Sequence, residues 1–254
     1  MILRLSEFES DAFWRDGFLI RRGLVDPEVC ESLLAIAKNH LAGQLAPIEY
    51  EVDLQYPGAP ENNFAEGATT SRRLLQAFSR HDEFRNWAQA DLVAGTISTL
   101  FDSPEISLSQ CHHNCVMTKQ PGYSSVTRWH QDNRYWSFDE ENLISVWLAL
   151  GKEDVSNGCL RVIPGSHSLD FSPGRFDAAQ FLRGDIAANK KLVTESVPVE
   201  LGFGDVLFFH SRLLHSAGRN LTDKTKFSLV YTYHLTSNRP ISNTRSARFP
   251  DVIL

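Results

Sequence analysis

The run RWHQDNRYW, Arg128 to Trp136, carries an imidazole at His130 and a carboxylate at Asp132, two residues apart. If the run is extended, His130 and Asp132 share a face while Trp129, Gln131 and Asn133 point the other way. One such pair occurs by chance in many chains and is at most part of a metal site. A second imidazole is available downstream in GDVLFFHSRLLHSAGRN, where His210 closes one expected strand and His215 belongs to the next. Two imidazoles and one carboxylate from separate strands make the facial triad that holds non-haem Fe(II) and leaves positions for cosubstrate and oxygen. Spacing alone does not choose between His210 and His215.

A cation follows. Lys226 opens KFSLVYTY, and alternation puts Lys226, Ser228 and Val230 on one face. A buried cation beside an iron site needs an anion, and a dicarboxylate chelating the metal through one end could supply it from the other. In water the same lysine would be an ordinary residue at a strand mouth. The cluster CHHNC, Cys111 to Cys115, has zinc-binding residue types but lacks a second cysteine pair. ISLSQCHHNCVMTK alternates as one strand, which puts His112 and Asn114 on one face and His113 and Cys115 on the other.

These residues need a frame. The N-terminal third reads as helical: Asp26-Pro27-Glu28 is a helix start and Gly43 a stop, and a second helix is expected from about Asp82 to Phe101. From Ile106 onward the chain turns to short β-rich segments, among them LISVWLALG, CLRVIPG, DVLFFH and KFSLVYTYHLT, separated by Pro-Gly, Asn-Gly and Gly-Phe-Gly. This is an α+β pattern, with a β-barrel or jelly roll carrying the chemistry and helices packed outside. Residues 46–70 and 168–190 lack a sustained period and are expected to be covers over the site.

The 254 residues, 42% hydrophobic and 22% charged, are expected to form one domain, with residues 1–105 mainly helical and 106–240 forming the β core. A net charge of −6 with no Lys/Arg-rich run argues against a nucleic-acid partner. No window reaches the ~18 apolar residues of a membrane span. The opening MILRLSEFESDAFW lacks the order of a secretory signal, so the cytoplasm is the expected compartment and the four cysteines are expected to be reduced thiols. Oligomeric state is not legible.

Taken together, the chain resembles the phytanoyl-CoA dioxygenase family of Fe(II)/2-oxoglutarate oxygenases. The resemblance rests on GFLIRRGLVDPE at Gly17 to Glu28, KQPG before WHQD, VWLALGKEDVSNGCLRVIPGSH at Val146 to His167, and GDVLFFHSRLLHSAGRN at Gly204 to Asn220. NGCLRVIPGSH is far more specific than a His-x-Asp pair. The resemblance implies a double-stranded β-helix (jelly-roll, cupin-like) core and assigns the iron ligands to His130, Asp132 and His215, leaving His210 as a strand-end residue. It places 2-oxoglutarate contacts at Gln131, Trp147, Asn114 and Thr118. Gln131 is awkward for simple alternation, which turns it away from its neighbours.

One position departs from the family pattern. Where the family usually anchors the cosubstrate with arginine, this chain has Lys226, a point charge in place of a planar fork. Lys226 with Ser228 is the expected anchor, and Arg219 the alternative. Asp132 occupies the ligand position that related halogenating enzymes leave to halide, so the resemblance implies hydroxylation of a small molecule, using Fe(II), 2-oxoglutarate and O2. Epimerisation, cyclisation, desaturation or a non-catalytic binding role are the rivals. His112, Arg128, Arg134, Tyr135, Trp136 and Arg175 are the candidate substrate contacts. No basic cluster for the phosphates of coenzyme A is evident along the chain.

Overall fold

The computed structural model describes residues 5–54 and 59–254, so residues 55–58 of the first expected cover lie outside the described residues. The first helix, α1 (Glu7–Asp16), starts on a reciprocal Ser6/Glu9 capping box and ends at Gly17. Gly17 has φ of +82°, and a Cβ there would lie 2.5 Å from the His167 ring, so both conformation and space require glycine. After β1 (Phe18–Arg21) comes α2 (Pro27–Ala42), whose start at Asp26-Pro27 and stop at Gly43 agree with the sequence signals. Then follow β2 (Ile48–Tyr50), β3 (Ser71–Leu75) and α3 (Ala77–Arg80).

The single helix expected from Asp82 to Phe101 is instead two, α4 (Asp82–Ala88) and α5 (Asp91–Phe101), broken at an extended Ala90. Two buried phenols support the break. Tyr231 donates to the Phe84 carbonyl inside α4 at 2.9 Å, and Tyr233 donates at 2.7 Å to the carbonyl of Ala88, the last residue of α4, satisfying an acceptor at the helix end. Both helices then lay apolar faces, Phe84 and Trp87 of α4 and Val93 and Ile97 of α5, on the same core.

The expected single strand ISLSQCHHNCVMTK is likewise divided, into β4 (Ile106–Ser109) and β5 (Cys115–Lys119). Both pair with the strand that contains Lys226: Ser109 lies opposite Thr232 and Cys115 opposite Val230. Residues 110–114 therefore leave the ladder as an excursion. The remaining elements are β6 (Thr127–His130), β7 (Leu143–Ala149), β8 (Leu160–Val162), α6 (Ala187–Thr194), β9 (Val197–Val199), β10 (Val206–His210), β11 (His215–Ala217), β12 (Lys226–Leu235) and β13 (Val252–Ile253).

The strands form two antiparallel sheets. The major sheet runs β1-β10-β7-β12-β5-β3-β2, with β4 also pairing with β12 and β13 with β4; the minor sheet runs β6-β11-β8-β9. Trp147, Leu160, Val162, Leu207, Phe209 and Val230 form one apolar cluster from the two sheets. Val146, Leu148, Phe208, Leu229 and Tyr231 alternate with them and pack instead against Phe13, Leu33, Phe84 and Ile97 of the helices. Every residue of β7 is thereby buried, which is why LISVWLA lacks a polar face. Each large side chain enclosed this way contributes roughly 1.5–3 kcal/mol. This is the double-stranded β-helix in an α+β setting, with the added finding that the N-terminal part supplies β1, β2 and β3 to the major sheet.

Candidate metal centre

β6 and β11 are neighbours in the minor sheet, and His130 and His215 are direct partners across that pairing. Their ring centroids lie 4.2 Å apart. Nδ1 of His130 lies 2.8 Å from the Arg128 carbonyl and Nδ1 of His215 2.9 Å from the Leu213 carbonyl. A carbonyl can only accept, so each Nδ1 carries a proton and each Nε2 is the ring nitrogen left to bind a metal. Both Nε2 atoms face Asp132, whose Oδ1 lies 3.7 Å from His130 Nε2 and 3.5 Å from His215 Nε2. Gln131 stays extended (φ −110°, ψ 143°), so alternation carries Asp132 onto the histidine face before a 3-10 turn begins, and the Asp132 N–H is held by the Ser211 carbonyl at 2.9 Å.

The carboxylate of Asp132 is buried, and neither oxygen has a hydrogen-bond donor among the described residues. Burying an uncompensated carboxylate costs several kcal/mol. The His130 imidazole does not neutralise it: burial, then His215, holds His130 well below the usual histidine range. His113, with Nδ1 3.5 Å from Asp132 Oδ2, is pushed down to about 4 by burial, against the pull of Asp132. One ligand atom from each of His130, Asp132 and His215 can be chosen so that all lie within 4.8 Å of one another. Two imidazoles that turn Nε2 toward an orphaned carboxylate fit a divalent cation, and this donor set suits Fe(II).

The same cavity continues to a cationic wall made by Arg72, Arg73, Lys119 and Lys226, with Trp147 and Thr118 beside them. Lys226 is already engaged: Nζ lies 2.8 Å from Glu153 Oε2, while Ser228 and Trp147 both donate to Oε1 at 2.6 and 3.0 Å. The Lys226 ammonium also lies 5.1 Å from the Trp147 ring centre. Lys119, the direct cross-strand partner of Lys226, donates to the carbonyls of Ser125 and Gly218. Burial, then the positive charges of Arg72 and Lys226, push its ammonium down to about 7.

A family model described as phytanoyl-CoA dioxygenase matches residues 13–228. The chain belongs to the phytanoyl-CoA dioxygenase family. A mouse relative named peroxisomal phytanoyl-CoA dioxygenase is 31% identical over 219 residues, covering 82% of this chain and 62% of the relative. A rice relative named phytanoyl-CoA dioxygenase 1 is 29% identical over 133 residues, covering 52% of this chain and 47% of the relative. The chain thus spans about half the length of the first curated relatives it matches. Among solved structures, the epimerase SnoN, crystallised with Fe3+, alpha-ketoglutarate and nogalamycin RO, is similar at TM-score 0.74 and 24% identity over 92% of this chain and 85% of that one. EctD from S. alaskensis, crystallised with 2-oxoglutarate and 5-hydroxyectoine, is similar at TM-score 0.75 and 20% identity over 93% and 78%. These likenesses support the fold. Among the described residues no helix is long and apolar enough to cross a membrane.

Within this family fold, several sequence-predicted positions fall elsewhere. Gln131 points away, as alternation requires, and donates to the Arg212 carbonyl at 2.5 Å. Asn114 does not line the iron cavity: its Oδ1 accepts from the Phe78 N–H and its Nδ2 donates to the Gln110 carbonyl. The excursion at 110–114 breaks the expected phase, so His113 rather than Asn114 meets Asp132. Thr118 reaches the cavity wall but gives its hydroxyl to the Ser71 carbonyl at 2.7 Å. His112 is bonded to Ser246 at 2.7 Å and stacked near Trp136, in an adjoining cavity. Arg219 is exposed and off the cavity wall.

The expected substrate contacts also divide. Arg128 pairs with Asp177 at 2.9 Å, and Arg134 lies over the Phe181 and Tyr135 rings; Arg175 bonds Asn189. These arginines hold the 168–190 segment in place, where Phe171, Phe176 and Leu182 pack with Trp129, Ile163 and Leu214. Trp136 lines the adjoining cavity. Sequence reading missed His113, Arg72, Arg73, Lys119 and Glu153. Glu153, a carboxylate just past the wholly buried β7, was the one with a visible signal.

His210 is remote from the triad, with Nε2 3.2 Å from Asn142 Oδ1 and its ring against His167 and Trp14. His210→Ala is therefore expected to leave Fe(II) affinity within about twofold. His215→Ala should weaken it beyond the ~10–100-fold typical of losing a partner that only orients a ligand. Anaerobic Fe(II) titration of the two variants checks this, and the reverse order would exchange the two histidines' roles.

Proposed function

We propose that the chain is an Fe(II)/2-oxoglutarate-dependent dioxygenase that hydroxylates an unactivated C–H bond of a small molecule, releasing succinate and carbon dioxide. The observation that carries this reading is the donorless carboxylate of Asp132 facing the Nε2 atoms of two imidazoles. His130, Asp132 and His215 would hold Fe(II), which supplies oxygen activation coupled to oxidative decarboxylation of the cosubstrate. Lys226 would anchor the distal carboxylate of 2-oxoglutarate. Glu153 fixes its ammonium together with Ser228 and Trp147, and Lys119 stands beside it on the same wall. Tyr135 and Phe181 set their rings 6.0 and 5.9 Å from that of His130 and keep bulk water off one side of the centre.

Anaerobic addition of Fe(II) and 2-oxoglutarate should produce a visible metal-to-ligand charge-transfer band, and oxygen should then yield succinate. Absence of the band at saturating cosubstrate would overturn the reading. One observation favours a second reading, a non-catalytic binding relative: the expected cosubstrate anchor, Lys226, already carries a carboxylate partner. On that reading metal binds without the 2-oxoglutarate band.

A further inference from the structure

A cavity of about 420 Å³ adjoins the iron pocket and shares His113 and Arg73 with it. Its volume lies within the usual range for small-molecule sites. One wall is the 110–114 excursion. The opposite wall is a C-terminal segment stitched to that excursion: Ser246 is bonded to His112 at 2.7 Å and accepts from the Ser137 N–H at 2.8 Å. Further along, the Phe249 N–H reaches Cys111 Sγ at 3.2 Å and Gln110 donates to the Pro250 carbonyl at 2.7 Å. These bonds hold Arg245 and Arg248 at the cavity's edge, with Trp136 as an aromatic wall.

The charge here is unbalanced. Three arginines line the cavity, Arg73, Arg245 and Arg248, against one carboxylate, Glu49, which lies 3.4 Å from Arg73. Among the described residues no carboxylate lies within ion-pair distance of Arg245 or Arg248. His112 does not offset or add to this charge: burial, then Arg245, pushes it down to about 2, so it is neutral. A guanidinium is a planar fork suited to carboxylate or phosphate oxygens.

We infer that this cavity takes the oxidisable substrate, and that the substrate carries a carboxylate or phosphate group bound by Arg245 and Arg248. Its apolar body lies along Trp136, and the carbon to be oxidised points toward His113 and the metal centre. This rests on the iron-dioxygenase reading for the reaction, but the site itself is defined by the chain's own cavity and arginines.

The test uses the full chain without added metal or cosubstrate, so its failure is separate from failure of the charge-transfer band. Calorimetry with phenylacetate, phenyl phosphate and the neutral 2-phenylethanol should show at least one anion binding about tenfold or more tighter than the alcohol. The tighter of the two anions identifies the headgroup. R245A/R248A should remove the preference while leaving the alcohol unchanged; both arginines are exposed, so the fold is spared. R245K/R248K, which keeps the charge, should retain a preference. Equal binding of anions and alcohol, no binding of any anion, or a preference that survives R245A/R248A would each overturn the inference.

Discussion

Asp132→Ala should stabilise the metal-free chain and abolish its response to iron. Both oxygens of this carboxylate are buried without donors, and neither His113 nor His130 is an imidazolium at neutral pH. Removing an unsatisfied buried polar group recovers on the order of 1–3 kcal/mol, more when it is charged, against a small packing loss. For a domain of this size that is a rise of several degrees in thermal midpoint. The unsubstituted chain should in turn gain about 2.7 kcal/mol when Fe(II) is a hundredfold above its Kd, a gain the variant lacks. Thermal unfolding with and without anaerobic Fe(II) measures both effects. A metal-free variant less stable than the parent, or one still stabilised by iron, would refute this account of the site.

Lys226→Met should be among the most damaging single substitutions, and Glu153→Gln added to it should repair stability without repairing binding. The pair is buried, with Nζ to Oε2 at 2.8 Å and side chains 4% and 0% exposed. Removing one member strands the other charge, at a cost of about 3–5 kcal/mol, whereas neutralising both is often nearly without cost. In Lys226→Met the Glu153 carboxylate would retain only the neutral donors Ser228 and Trp147. Urea unfolding should therefore show a large loss for the single variant and recovery of most of it in the double. The 2-oxoglutarate requirement should stay raised in both. If the double variant regains cosubstrate affinity, the anchoring charge is Lys119 rather than Lys226.

The triad was legible because its geometry is local on each strand. An extended Gln131 is enough to bring Asp132 beside His130, and Gly158 in NGCLRVIPGSH marks a turn that must press on the backbone after His215. A Cβ at Gly158, with φ of +76°, would lie 2.6 Å from the Gly218 carbonyl oxygen. The limits of α2 were legible for the same reason, since Asp26, Pro27 and Gly43 act through their own backbone. What escaped was imposed from a distance. β12 divides the 106–119 run by pairing with both of its halves, and Tyr231 and Tyr233 support the break between α4 and α5. The pairing of Glu153 with Lys226 and the meeting of Arg73 with Arg245 and Arg248 depend on sheet closure, which no single stretch encodes. No basic run announces the cationic cavity, because its arginines come from the N-terminal third and the C-terminal segment.

His130 and His215 oppose one another on a single rung between β6 and β11. Side chains alternate with period two, so a slip of one residue in either strand would turn that strand's imidazole out of the centre. The ligand set is therefore all-or-none with respect to strand register, and it does not exist until two distant stretches of chain have paired. In a zinc finger closely spaced ligands let the ion organise the fold. Here His130 and His215 meet only across a formed strand pair.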